Sequence, residues 1–593
     1  MQGELKKRSE IDDEFKWKLE DIFADRDEFL KAVEEAKALT REFVACKDEM
    51  IKSASALKAA LDSYEAINIK LENVYSYANM SYDQDTGENS SQELYQIAQS
   101  LYSMILSETA FFSPLILSMK DGLLEKYYEE EEGLLKYRCF LTELLRTKEH
   151  TLSPQEEQML AEASQMGNAI ANSYKMLLNA DIKFPDIETK EGTVTLSNGR
   201  YIPLMQSDDR ELRKKVFETY YDAYKDHVNT FASLYDGQLK RLAFFAKMRK
   251  YESSFVASVD SNAVDPKVCL NLIEAVHDNM DKMYAYVAKR KAIMGYDKLH
   301  MYDIYVPIVS DVEWKIDYKE ACDMTLKALK VLGDEYIGIV TKAFDERWID
   351  VYENENKRSG AYSSGAYGVH PYMLLNHNDT LDDVFTLVHE MGHSIHTWYS
   401  THNQTYFDAD YKIFVAEVAS TTNELLLLMY LLNHTDDEDK KRYLKNHYLD
   451  NFKSTLYRQT MFAEFELKTA DMLKDGVPVT AKNLCDLYAE LNSLYYGPDM
   501  EHDDHIAYEW CRIPHFYYNY YVYQYATSFA ASVDIAKRIY DGEAGMVDKY
   551  LSFLKSGCTS DPVSLLKIAG VDLSTKEPVC RALEVFGKLV EEF

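Results

Sequence analysis

Two histidines and a glutamate fall within five residues, His389-Glu390-Met391-Gly392-His393, and no other stretch of this chain is better equipped for chemistry. On a helix, residues four apart lie one above the other, so both imidazoles can face one cation. Zinc takes imidazole nitrogens at about 2.0 Å and, in catalytic sites, keeps one position open for water. Glu390, beside the first histidine, is then placed as the base for that water's proton. The bare pattern is short, and its surroundings must decide.

The elements around the motif support a helix. Leu381-Asp382-Asp383-Val384-Phe385-Thr386-Leu387-Val388 carries apolar residues at helical spacing, and Thr380 with Asp383 forms a capping-box pattern. A helix starting near Thr380 buries Leu381, Val384, Phe385 and Val388 and presents His389 and His393 at the edge of that stripe. Gly392 costs about 1 kcal/mol relative to alanine inside a helix. Either something approaches the backbone closely there, or the glycine is merely tolerated.

Two histidines need a third protein ligand. The next helix, Tyr411 to Leu432, carries Glu417 and Glu424 two turns apart on a face lined by Phe414, Val415, Val418, Leu425 and Leu428. Carboxylates on so apolar a helix are costly unless paired or metal-bound. Glu417 is assigned as the ligand and Glu424 as the carboxylate that orients a ligand imidazole. His396 is the competing third ligand. Three ligands from one continuous helix splay poorly around a tetrahedral ion, so His396 is expected to pack beside the site.

At this point the chain resembles oligoendopeptidase F, of the thimet-oligopeptidase clan of zinc metallopeptidases. The resemblance spans nearly the whole chain and rests on several motifs in order. They are Trp17-Lys18-Leu19-Glu20-Asp21-Ile22-Phe23, Lys357-Arg358-Ser359-Gly360-Ala361-Tyr362-Ser363, the His389 motif, Phe414-Val415-Ala416-Glu417, and Arg512-Ile513-Pro514-His515-Phe516-Tyr517-Tyr518. It implies a mainly α, two-lobed body enclosing a substrate channel, with a small β-sheet beside the zinc helix. It also implies cleavage of short peptides within the chain, one zinc ion on His389, His393 and Glu417, and Glu390 as base. The family places a histidine and two tyrosines from a late segment against the substrate carbonyl. Alignment pairs Tyr518 and Tyr525 with those tyrosines, while His515 falls slightly out of register with the histidine. Tyr517, Tyr520, Tyr521 and Tyr523 are expected in the core.

Composition narrows the setting. Acidic residues outnumber basic ones 99 to 66, a formal charge of −33, which disfavours a nucleic-acid partner because phosphate binding needs clustered Lys and Arg. The same sign would draw basic peptides to a channel that shared it, although an acidic surface also serves solubility alone. Eight cysteines are scattered without a Cys-x-x-Cys pair, which suits a reducing cytoplasm rather than a disulfide framework. The amino terminus lacks the apolar run of a leader, and no stretch of about 18 uninterrupted apolar residues suggests a membrane partner. Leu425 to Leu432 comes nearest.

The organisation expected is an amino-terminal helical region, 1–190, and a catalytic region, 191–593. Asp27 to Ala45 and Ser91 to Phe112 read as amphipathic helices, and Ser153-Pro154-Gln155-Glu156 opens another. Thr193 to Leu204 reads as a hairpin turning at Asn198-Gly199, with Ser207-Asp208-Asp209 capping a helix beyond. Tyr302 to Val306, Ile349 to Tyr352 and Tyr372 to Leu375 read as strands, and an edge strand near the metal could pair with a substrate backbone. Ser359 to Gly368 reads as a loop, either mobile over the cleft or simply superficial. Two other functions stay open: a same-clan peptidyl-dipeptidase needing a free carboxyl end, and a non-catalytic peptide-binding protein with structural zinc.

Overall fold

The computed structural model describes residues 5–190, 192–309 and 314–593. Met1–Glu4, part of the segment read for a leader, and Glu191, the expected start of the catalytic region, lie outside them. Helices make up most of the described chain and the sheets are small, the class expected from the sequence. Internal contacts group the chain into two units, one of 1–148, 313–430 and 535–570, the other of 149–312, 431–534 and 571–593. This division interleaves segments and differs from a single cut at 190/191.

In the first unit, helices Arg26–Ala45, Ala54–Asp83 and Asn89–Thr109 bury Phe29, Ala36, Leu57, Leu61, Val74 and Ala98 in one core. Asp25 and Ser53 start the first two by accepting first-turn N–H groups, which would otherwise be orphaned. The same unit holds a three-stranded sheet. Tyr372–Leu374 is central, parallel to Ile349–Asp350 and antiparallel to Tyr362–Ser364. The segment expected as a loop, 359–368, therefore contains an edge strand. Asp350, fully buried, is held by Arg8 Nη1 at 2.8 Å and Lys357 Nζ at 2.7 Å, which offsets its desolvation and ties the amino-terminal segment to the sheet.

Two sequence expectations fail in the second unit. The hairpin at Asn198-Gly199 does not form: Gly192–Thr195 pairs backwards with Asp186–Thr189, and Asn198–Met205 is a helix capped by Ser197. Asn198 Oδ1 instead accepts the hydroxyls of Tyr220 and Tyr224, each at 2.8 Å, so the turn signal is spent on a buried contact. Tyr302 to Val306 is not a strand either. Buried Arg290 takes the carbonyls of Asp303 and Val306, and Asp303 caps a short 3-10 turn while pairing with Arg210 and Arg213. Arginines have replaced a strand partner.

Two helical stretches are long and apolar enough to cross a membrane by composition, Asn89–Leu117 and Ile413–His434. The second is 72% buried inside the protein, so its apolarity serves the core. The first presents Leu94, Leu101 and Ile105 to the helical core described above.

Candidate metal centre

Local sequence builds the histidine helix, Leu381–Asn403. Thr380 Oγ1 accepts the Asp383 N–H at 3.2 Å, and Asp383 Oδ2 accepts the Thr380 N–H at 3.0 Å, a reciprocal capping box. Val384, Leu387, Val388, Met391 and Ile395 are fully buried, which leaves His389 and His393 on the partly exposed edge. The second helix, Ile413–His434, crosses it closely. A Cβ on Gly392 would stand 2.5 Å from Ser420 Cα and 2.7 Å from the Ala419 carbonyl oxygen. The glycine exists because the neighbouring backbone occupies the space of a side chain. Asn423 adds a polar tie, donating to the Val388 carbonyl at 3.4 Å and accepting from Tyr336 Oη at 3.0 Å.

That crossing brings three donors together. His389 Nε2 lies 3.4 Å and His393 Nε2 3.5 Å from Glu417 Oε2, and the three donor atoms all fall within 4.8 Å of one another. Two imidazole nitrogens and one carboxylate oxygen are a donor set that suits zinc with a fourth position left open. Among the described residues no other His, Cys, Asp or Glu group meets this spacing. Side-chain exposures of 28%, 20% and 36% for His389, His393 and Glu417 leave the donors approachable.

The surrounding groups fix these donors. Glu424 Oε1 lies 2.5 Å from His389 Nδ1, so that nitrogen keeps its proton and Nε2 turns toward the donor cluster. Burial works to lower the His389 pKa, but the hydrogen bond and charge of Glu424, with Glu390 and Glu417, raise it to about 9. Burial works to raise Glu417, yet His393, His389 and the Ser420 hydroxyl at 3.0 Å hold it at about 2. Glu390 is nearly buried, and desolvation lifts its carboxyl above the usual carboxylate range, opposed by both histidines and by the Ser363 N–H. Ser363 belongs to the edge strand, and its hydroxyl meets that of Ser394 on the histidine helix at 2.8 Å. His396 stands outside the donor set. It is fully buried, stacked 3.7 Å from Tyr411, and desolvation drops its pKa to about 3.

His515, Tyr518 and Tyr525 belong to the second unit, where they gather around one another. The His515 ring lies 5.4 Å from Tyr518 and 5.8 Å from Tyr525, centre to centre. Burial lowers the His515 pKa, which favours the neutral ring. Tyr517, Tyr520 and Tyr523 are buried as expected. Tyr521 is not: it is partly exposed, 5.2 Å from Tyr525 and stacked toward His515 at 6.4 Å. Neither Tyr521 nor the Ser363 N–H was identified from sequence. Tyrosine density hid the first, and a main-chain donor from a distant segment has no residue signature.

Comparison with known proteins completes the picture. The sequence pattern described as peptidase family M3 matches residues 203–585, and that described as oligopeptidase F matches 116–184. Oligopeptidase PepF of Bacillus subtilis is 41% identical over 591 residues, covering 100% of this chain and 88% of the relative. A Chlamydophila abortus protein of known structure is 33% identical, with a TM-score of 0.94 over 99% of each chain. The crystal structure of oligoendopeptidase-F from Enterococcus faecium is 36% identical, with a TM-score of 0.72 over 95% of this chain and 98% of that one.

Proposed function

Since this chain belongs to peptidase family M3, and within it to the oligoendopeptidase F group, we propose that it is a zinc-dependent endopeptidase cleaving internal bonds of short oligopeptides. His389, His393 and Glu417 would hold a zinc ion, which would supply Lewis-acid polarisation for the attacking water and the scissile carbonyl. Glu390 accepts the attacking water's proton on its carboxylate and delivers it to the leaving amine nitrogen. The Glu424 carboxylate engages His389 Nδ1 and leaves Nε2 of that ring for the metal. The Tyr362–Ser364 edge strand offers main-chain groups to an extended peptide, which gives affinity with little demand on side chains. His515, Tyr518 and Tyr525 donate hydrogen bonds to the substrate carbonyl oxygen as it gains charge.

The observation that carries this reading is the donor cluster within 4.8 Å with Glu390 in the same helical turn. Hydrolysis of a quenched fluorescent peptide blocked at both ends tests it. Cleavage that stops with a chelator and returns with zinc supports a zinc endopeptidase, whereas cleavage only of peptides with a free carboxyl end identifies a peptidyl-dipeptidase. Eight free cysteines fit a cytoplasmic setting.

A further inference from the structure

Between Tyr518 and the helix Tyr523–Tyr540 the chain turns through two consecutive residues with positive φ, Asn519 at 60° and Tyr520 at 55°. Asparagine tolerates the left-handed region, but a tyrosine there is uncommon and persists only where its surroundings hold it. They do so from two helices, Arg458–Lys474 and Ser254–Asp260. Glu466, almost fully buried, accepts the Tyr520 N–H on Oε1 at 3.1 Å. Ser258 Oγ donates to the Asn519 carbonyl at 2.6 Å, and Ser254 Oγ meets Tyr520 Oη at 2.8 Å. Phe255 packs edge-on against the Tyr520 ring at 5.4 Å. The consequence is a sharp change of direction between an outward residue, Tyr518, 48% exposed, and an inward one, Tyr520, 4% exposed.

A buried carboxyl that pairs with no cation is costly, so Glu466 needs a reason to be there. We propose that Glu466 is a positioning residue: by clamping the Asn519–Tyr520 elbow it presets His515, Tyr518 and Tyr525 as one hydrogen-bonding group for the substrate. This rests on the reading that those side chains bind the substrate carbonyl. Burial carries the Glu466 carboxyl to about 8, so the neutral acid is the form at physiological pH, and glutamine copies its shape and its acceptor.

The test uses full-length, zinc-loaded protein and the variants Glu466→Gln, Glu466→Leu, Tyr518→Phe, Tyr525→Phe and the Glu466→Leu/Tyr525→Phe pair. Melting temperature, zinc content, hydrogen exchange across 515–525, kcat and KM are read for each. Glu466→Gln keeps kcat and slow exchange. Glu466→Leu keeps its zinc, exchanges faster across 515–525 and loses ~100-fold in kcat with little change in KM, the cost of a misplaced transition-state contact. In the double variant the two losses do not multiply, because both act on the same group. If Glu466→Leu does not fold, Ser258→Ala, which frees the Asn519 carbonyl, replaces it with the same expectations in smaller measure. Unchanged kcat in the clamp variant, or losses that simply multiply, overturns the proposal. Unchanged kcat in Tyr525→Phe and in Tyr518→Phe instead refutes the substrate-binding reading on which it stands.

Discussion

Glu424 and His389, 35 residues apart in sequence, meet through a 2.5 Å hydrogen bond to Nδ1, which leaves Nε2 of the same ring facing Glu417. A ligand imidazole free to rotate loses much of its affinity, and outer carboxylates of this kind are worth about 10–100-fold in metal binding. Glu424→Ala therefore weakens zinc binding by ~100-fold, and Glu424→Gln, which still accepts the hydrogen bond, by ~10-fold. Competition against a chromophoric chelator measures both. Equal affinity in all three proteins would separate Glu424 from the metal.

The proton inventory gives a second outcome. Without metal, His389 titrates near 9, so it is protonated at pH 7, while Glu417, near 2, is already ionised. Metal binding needs the neutral ring, so zinc uptake at pH 7 expels about one proton. The sign follows directly: apparent affinity rises with pH up to about 9 and then levels. Calorimetry in buffers of different ionisation enthalpy counts the proton, and no release at pH 7 contradicts the pairing of His389 with Glu424.

Gly392→Ala separates local propensity from packing. In an isolated helix the change stabilises by about 1 kcal/mol. Here the new Cβ meets Ser420 Cα at 2.5 Å, main chain that cannot swing away, so the helices must part. The expected result is the opposite sign, a loss of about 1–3 kcal/mol by urea unfolding, together with weaker zinc binding. A stabilised variant with full zinc would show that the crossing is looser than the structure indicates.

Glu417→Ala and His396→Ala distinguish the two candidates for the third ligand. The carboxylate variant is expected to lose its zinc. The histidine variant is expected to keep one equivalent while losing about 2–4 kcal/mol of stability through the cavity left against Tyr411. Metal analysis after gel filtration decides, and the reverse pattern would transfer the role to His396.

What sequence made legible was local or chemically specific. The Thr380–Asp383 capping box, the helix start at Ser207-Asp208-Asp209 and the four-residue histidine spacing are short-range signals, and each has the expected geometry, with Asp209 as the cap in the second. Glu417 and Glu424 stood out because carboxylates on an apolar helix demand a partner, and both lie beside His389. The Asn198-Gly199 turn failed for the opposite reason. Its signal is equally local, but Tyr220 and Tyr224 outbid it from another helix. The Tyr362–Ser364 strand lay hidden in small residues whose partner is ten residues away, and the Gly392 contact stayed undecided until the second helix was in place. Interleaving of three segments in each compact unit is nonlocal throughout, so no boundary signal marks it.

The most direct measurement concerns Glu390, whose carboxylate the account makes responsible for moving the proton. Glu390→Gln should bind one equivalent of zinc, melt at the wild-type temperature and cut a peptide blocked at both ends at least ~10³-fold more slowly. Near wild-type turnover by the zinc-loaded variant would contradict the proposed chemistry outright.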